Sequence, residues 1–189
     1  VLETTERFEY DAAGNLTAYV AALGLRTEHR YDALNRETET RTLAAGGGLA
    51  AVETIAYVDG NHDRRVVRTN AVGKTTTVTH DALGRVWKTE DPADGTSIVT
   101  YDAGGNVLYQ QSGLDQAWFE YDTLGRLALT RDVLDNETRY QYVNFGEEIL
   151  VTDAVNQVTR TRYDGYGRPV RTTEATGGVI VRAYNPVGD

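Results

Sequence analysis

Apolar and aromatic side chains alternate with polar ones ahead of a residue that returns about every 21 positions. That residue is Tyr10, Tyr31, Tyr57, His80, Tyr101, Tyr121, Tyr142, Tyr163 and Tyr184, at spacings of 20 to 26. Two positions before it stand Phe8, His29, Ile55, Val78, Val99, Phe119, Tyr140, Thr161 and Arg182, mostly apolar or aromatic. One position before it stand Glu9, Arg30, Ala56, Thr79, Thr100, Glu120, Gln141, Arg162 and Ala183, mostly polar. Alternation with period two predicts strands with one face shared by the anchor and the other turned away from it. Runs such as Thr75-Thr76-Thr77 suit a half-buried pleated surface. No stretch of ten or more residues shows apolar spacing of three and four, so no helix is predicted.

The residues after each anchor predict a turn. The next residue is Asp or Asn in seven copies of nine, Val58 and Val143 being the departures. The fourth residue after the anchor is Gly14, Asn35, Asn61, Gly84, Gly105, Gly125, Gly146, Gly167 and Gly188. Only Gly and Asn occur there, the two residues that best tolerate a left-handed backbone. Asp first and Gly fourth describe a type I turn whose aspartate caps backbone N–H groups. A second turn falls half a period later, opening at Asn70, Asp91, Gln111, Asp132, Asp153 and Glu174 and turning at Gly73, Asp94, Leu114, Asp135, Asn156 and Gly177. Leu114 breaks that series, and with Gly113 and Asp115 on either side of it the turn is expected to shift by a residue. Each repeat is therefore two strands and two turns. The fold expected is all-β, a tandem array of antiparallel hairpins running through residues 1–189 as one domain. Between Tyr31 and Tyr57 the spacing grows to 26, and the flexible run Ala44–Ala51 predicts a lengthened hairpin tip at about 43–51.

Composition narrows the function. The 189 residues carry 19 Lys+Arg against 28 Asp+Glu, a net charge of −9, which disfavours nucleic acid as a partner. There are no cysteines, hence no disulfides, thiolate chemistry or Cys-based zinc sites. No apolar run is long enough to span a membrane as a helix. Val1 is not Met and no basic segment leads into an apolar one, so no signal peptide is read, and the sequence reads as a piece of a longer polypeptide.

The unit Tyr-Asp-x-x-Gly-Arg, nine times in register over Tyr10–Asp189, resembles the YD repeat of the Rhs family. That resemblance implies a long β-strip that spirals into a hollow shell. Such shells occur in bacterial Rhs effectors, including polymorphic toxins of type VI secretion, in the BC component of Tc toxins and in teneurins. In the bacterial cases the shell encloses a toxin released from the C-terminus of the same polypeptide. The partners implied are the remainder of the shell polypeptide, the enclosed toxin domain, and a secretion apparatus or receptor protein. The localisation implied is synthesis in the cytoplasm followed by secretion or delivery, with the cell surface as the other destination. About 18 strands at roughly 4.8 Å make a ladder of about 86 Å, which closes into a ring only about 27 Å across. A 100-residue cargo is about 34 Å wide. The sequence thus fits part of a wall, not a whole shell.

Candidate chemistry is sparse. His29, His62 and His80 sit at different offsets in the repeat, so stacked strands do not bring them together. The turn aspartates Asp11, Asp32, Asp81, Asp102, Asp122 and Asp164 lack the nine-residue spacing of a calcium roll and read as caps. Glu147–Glu148 and Asp132 with Asp135 read as solvated turn charges, and Gly46-Gly47-Gly48 lacks the Lys-Ser/Thr of a phosphate loop. Asn15-Leu-Thr and Asn136-Glu-Thr are glycosylation sequons only if the source is an animal. The closing Tyr184-Asn-Pro-Val-Gly-Asp189 looks like the family's autoproteolytic motif but aligns as the ninth repeat, so no protease role is assigned. The expectation is no enzyme, no cofactor and no metal. The alternative is an adhesion or carbohydrate-binding module that stacks sugars on tyrosines and on Trp87 and Trp118.

Overall fold

A computed structural model describes residues 5–60 and 63–185. They form seventeen strands and one short 3₁₀ turn, and the chain divides into two compact units, Val1–Ser97 and Ile98–Asp189. The first unit holds β1 (Arg7–Tyr10), β2 (Leu16–Val20), β3 (Arg26–Tyr31), β4 (Glu37–Leu43), β5 (Leu49–Asp59), β6 (Arg64–Thr69), β7 (Thr75–His80) and β8 (Val86–Asp91). The unit boundary falls within β9 (Gly95–Tyr101). The second unit continues with β10 (Val107–Ser112), β11 (Asp115–Tyr121), β12 (Leu127–Asp132), β13 (Glu137–Val143), the 3₁₀ turn Asn144–Gly146, β14 (Glu148–Thr152), β15 (Val158–Tyr163), β16 (Pro169–Thr173) and β17 (Val179–Val181). The fold is all-β. Within each unit, strands pair antiparallel with their neighbours in sequence, as a meander of hairpins does.

Register assigns the two faces. In the second unit Tyr140 stands opposite Val151, Tyr142 opposite Ile149 and Ile149 opposite Thr161, so the anchor face is aromatic and aliphatic. The other face carries Arg139, Gln141, Glu148, Arg160, Arg162 and Arg171. In the first unit the face turned away from the anchors mixes charged and small apolar side chains: Ala18 stands between Glu9 and Glu28, and both carboxylates pair with Arg26, at 3.0 and 2.9 Å.

Very little is buried. Among the described residues Ala18, Val66 and Leu129 are the buried apolar side chains and Thr79 the buried polar one. The exposed area is 12913 Å², where a globular chain of this mass exposes about 8900 Å². Within each unit the described residues form a single layer of sheet, which accounts for the difference. Stability must then come from what links one hairpin to the next.

Most half-period turns share one loop. In Asn70–Lys74, Asp132–Asn136, Asp153–Gln157 and Glu174–Gly178 the first N–H donates to the fifth carbonyl and the fourth N–H to the first carbonyl. The turn at Gly113–Leu114 is a two-residue loop joining Ser112 to Asp115, with Gly113 at φ 60°, and near Asp91 the positive φ falls on Gly95, not Asp94. The expected long tip at 43–51 is corrected. Residues 44–48 make the same five-residue loop as elsewhere, Ala44 donating to the Gly48 carbonyl at 2.8 Å and Gly47 taking φ 83°. The extra residues lengthen the strands on either side: β4 has seven residues against five in β2, and β5 has eleven against six in β3. Paired strand satisfies its own backbone groups, which a loose loop of the same length would leave to water.

Candidate functional site

The recurring chemistry of this chain lies where a turn aspartate meets the next anchor tyrosine. At Asp122 one carboxylate oxygen, Oδ1, accepts the backbone N–H groups of Leu124 and Arg126, both at 2.9 Å. Its other oxygen, Oδ2, accepts Arg126 Nε at 2.7 Å. The same pattern holds at Asp32 with Leu34 and Arg36, at Asp81 with Leu83 and Arg85, and at Asp164 with Tyr166 and Arg168. At Asp11 and Asp102, Asn15 and Asn106 replace the arginine, donating Nδ2 to Oδ2 at 2.9 and 2.8 Å. The loop closes when the fourth N–H of the turn donates to the aspartate carbonyl, from Gly125 at 2.9 Å. That fourth residue needs a left-handed backbone: Gly125 has φ 75° and Asn35, the non-glycine case, φ 58°.

The arginine held by the aspartate then reaches the next repeat. Arg126 places its guanidinium 4.2 Å from the centroid of the Tyr142 ring, Arg36 lies 4.2 Å from that of Tyr57, and Arg168 lies 4.5 Å from that of Tyr184. The tyrosine completes the contact from its far end. The Tyr142 hydroxyl donates to the Leu127 carbonyl at 2.9 Å, Tyr184 to that of Pro169 at 2.8 Å, Tyr31 to that of Leu16 at 2.9 Å and Tyr57 to that of Glu37 at 3.1 Å. Those carbonyls belong to the residue just after the arginine or asparagine. One carboxylate thus fixes its own turn and aims a cation at the tyrosine of the next hairpin, and that tyrosine bonds the backbone just beyond the turn.

The two copies with valine in place of the aspartate differ in register. At Tyr10, Tyr31, His80, Tyr121 and Tyr163 the strand pairing shifts by one residue at the anchor. At Tyr57 and Tyr142, with Val58 and Val143 next in the chain, pairing runs straight through, to Asp59 opposite Arg64 and to Val143 opposite Glu148. With no carboxylate to gather the N–H groups, the turn after Tyr142 closes one residue later, Glu147 donating to the Asn144 carbonyl at 3.2 Å. Asn144, Phe145 and Gly146 all take positive φ, 49°, 58° and 105°. A phenylalanine in that region is a steric outlier, and this one is fully exposed.

The remaining candidate residues stay apart from one another. Tyr101 ends β9, Tyr10 ends β1, and Gly14, Gly84, Gly105 and Gly167 have positive φ. Asn61, His62 and Gly188 lie outside the described residues. His29 and His80 are not brought together: His29 Nδ1 lies 2.5 Å from Glu37 Oε1, and His80 Nδ1 lies 3.3 Å from the Arg64 carbonyl oxygen. Asp132 caps Leu134 and Asn136, Asp135 pairs with Arg131 at 3.5 Å, and Glu148 pairs with Arg160 at 3.4 Å. No group of three or more His, Asp or Glu suited to a metal occurs among the described residues. Trp118 lies against Tyr109, ring centroids 5.3 Å apart, with Arg131 5.0 Å from its own centroid. The arginine of the Tyr-Asp-x-x-Gly-Arg unit, or the asparagine in its place, was given no role from the sequence. The signal was its recurrence at Asn15, Arg36, Arg85, Asn106, Arg126 and Arg168.

The carboxylates of Asp11, Asp32, Asp81, Asp102, Asp122, Asp132 and Asp164 sit below the ordinary aspartate range. Side-chain donors lead the shift at Asp11, Asp102, Asp122 and Asp132, and backbone N–H groups lead it at Asp32 and Asp164. At Asp81, desolvation pushes upward and is outweighed by the bonds from Arg85 and Leu83. Depressed values mean stability that is fully present above the unfolded aspartate pKa and lost as pH falls through the folded values. Thermal midpoints should therefore hold level down to pH ~4 and then fall steeply, since several turns lose their caps over the same interval. Midpoints that stayed level to pH ~2 would show that the caps contribute nothing.

Tandem antiparallel hairpins stitched by turn-to-tyrosine contacts define a repeat-array protein. The RHS Repeat family model matches residues 10–47, one full turn-to-turn unit and part of the next. Residues 10–47 are thus similar to the RHS repeat, and the same Tyr-Asp-x-x-Gly pattern recurs along the rest of the chain. No curated protein sequence matches it. Among solved structures, the crystal structure of TcdB2-TccC3-TEV is similar in fold, with a TM-score of 0.51 and 15% identity over 97% of this chain. This chain spans 13% of that one. TcdB2-TccC3-Cdc42 aligns at a TM-score of 0.44 and 16% identity, over 89% of this chain and 11% of that chain. A Photorhabdus luminescens Tc holotoxin pore with a TccC3 mutation aligns at 0.39 and 12%, over 97% of this chain and 12% of that chain.

Proposed function

We propose that this chain is a structural segment of an Rhs-type β-shell, one repeat array whose role is to wall off a toxin or effector domain until delivery. The observation that carries the reading is the turn-to-tyrosine lock combined with sheet that has almost no core. At Tyr31, Tyr57, Tyr142 and Tyr184 one repeat is secured to the next by polar contacts in the turns, so the array extends without needing a second layer, as a shell wall must. The relation of repeats to one another is that of a quasi-one-dimensional array, with stability carried by neighbour interfaces. The fold likeness to a TcdB2-TccC3 structure of which this chain covers 13% supports the reading.

The turn tips fit the same role. Leu124, Phe145 and Tyr166 each stand three residues after their anchor in successive repeats of the second unit, and all three are exposed. A row of apolar tips along one edge suits contact with further windings of the same polypeptide. The partners are then the rest of the shell and the enclosed domain, with secretion or delivery as the route out of the producing cell. The chain's part is confinement, with no catalytic step of its own. A carbohydrate-binding role is disfavoured by Trp118, whose ring already lies against Tyr109 and Arg131.

The deciding experiment is cryo-EM of the full-length parent polypeptide with its C-terminus intact. The reading requires a closed wall built from these hairpins with density inside it. An open strip or an empty rod, with the aromatics facing solvent, would overturn it.

A further inference from the structure

We propose that the polar face of β14, β15 and β16 holds a site for a phosphoryl group carrying two negative charges. Arg162 on β15 stands directly opposite Arg171 on β16, and Arg160 lies two residues along on the same face. Like charges opposed across a strand pair are destabilising, and a register fixed by the turns gives them no way apart. One carboxylate answers all three. Glu148 on β14 faces Arg162 in register and pairs with Arg160 at 3.4 Å, its side chain only 13% exposed. No ion pair or hydrogen bond of the Arg162 or Arg171 side chain is found among the described residues.

Glu148, the three arginines and Thr173 line an open cavity of about 460 Å³. That volume falls within the range of small-ligand sites. Three guanidinium groups and one carboxylate leave a local charge of +2 on a chain whose net charge is −9. The patch therefore does not arise from overall composition. Guanidinium groups bind phosphate through paired N–H donors, and a dianion neutralises the excess. The Thr173 hydroxyl at the rim can donate to a third oxygen. Neighbouring positions on this face offer no competing carboxylate: Gln141 and Val143 on β13, and Val179 and Val181 on β17, are uncharged.

The test is thermal unfolding of this chain in inorganic phosphate and in glycerol phosphate, against chloride at equal ionic strength, for the native sequence and for the double variant Arg162→Gln/Arg171→Gln. The native chain should melt higher as phosphate rises, saturating in the millimolar range, and the variant should lose that dependence. In chloride the variant should melt no lower than the native chain, since the opposed pair is gone. A ³¹P NMR titration reads binding directly should the variant fold poorly: line broadening with the native chain is expected, and its absence would overturn the proposal. Equal stabilisation of both proteins by phosphate would overturn it too, showing only the general effect of an excluded salt. A response to inorganic phosphate alone assigns the site to the free ion, and one to glycerol phosphate as well assigns it to a phosphomonoester group.

Discussion

Tyr142→Ala is expected to destabilise the second unit by about 2–3 kcal/mol, counting half the usual cost of truncating a buried aromatic, because the ring is half-buried, plus about 1 kcal/mol for its hydrogen bond. Three contacts go together: the ring under the Arg126 guanidinium, the hydroxyl bond to the Leu127 carbonyl, and the anchor-face packing beside Ile149. Tyr142→Phe isolates the hydroxyl and should cost about 1 kcal/mol, because the ring and its cation survive. Location discriminates further. In an array stabilised by neighbour interfaces the loss should be local, so amide hydrogen exchange should speed up in β12–β14 and stay unchanged in β2–β4. Uniform acceleration throughout the chain would mean that it unfolds as one cooperative body and that the lock is not the unit of stability. A cost for Tyr142→Phe equal to that for Tyr142→Ala would place all the energy in one hydrogen bond and none in the ring.

Strand and turn order was legible because the period-two alternation and the Asp-to-Gly turn spacing are local features, set by residues within five positions of each other. The same holds for the left-handed positions at Gly125 and Asn35, which only small or amide residues tolerate. Features that depend on pairing could not be read. The longer spacing before Tyr57 looked like a loose tip because its residues are small and flexible, yet their backbone groups pair across β4 and β5. The role of Arg126 was invisible because its two partners, Asp122 and Tyr142, lie in different repeats, and only the register brings them together. Nor could composition reveal that Arg160, Arg162 and Arg171 share a face, since the net acidity of the chain points the other way. From the sequence, the valines after Tyr57 and Tyr142 stand out only as departures from Asp or Asn. The register shows that they move the turn.

The displaced turn after Tyr142 can be reversed by design. Val143→Asp combined with Glu147→Arg restores the aspartate and the arginine of the other copies around an existing glycine, Gly146. The carboxylate would gather the N–H groups of Phe145 and of residue 147, and the new guanidinium would point toward Tyr163 as Arg126 points toward Tyr142. The turn should then close one residue earlier, with a register shift at Tyr142 like the one at Tyr121. Phe145 would leave φ 58° for the third position of a type I turn, where φ is about −90°. Relief of one left-handed bulky residue is worth about 1–2 kcal/mol, partly offset by losing the half-buried Val143 side chain, so a net gain of about 1 kcal/mol is expected. Phe145→Gly is the control, because it removes the strain without supplying a cap and should stabilise by a similar amount with the register unchanged. If the double variant melts lower than the native chain while Phe145→Gly melts higher, the register at this turn is held by the pairing of β13 with β14 and not by the residue after the anchor. If the double variant gains stability and its backbone amide shifts at 143–147 come to resemble those at 122–126, the aspartate and its arginine together decide where the hairpin turns, and the lock can be written into a copy of the repeat that lacks it.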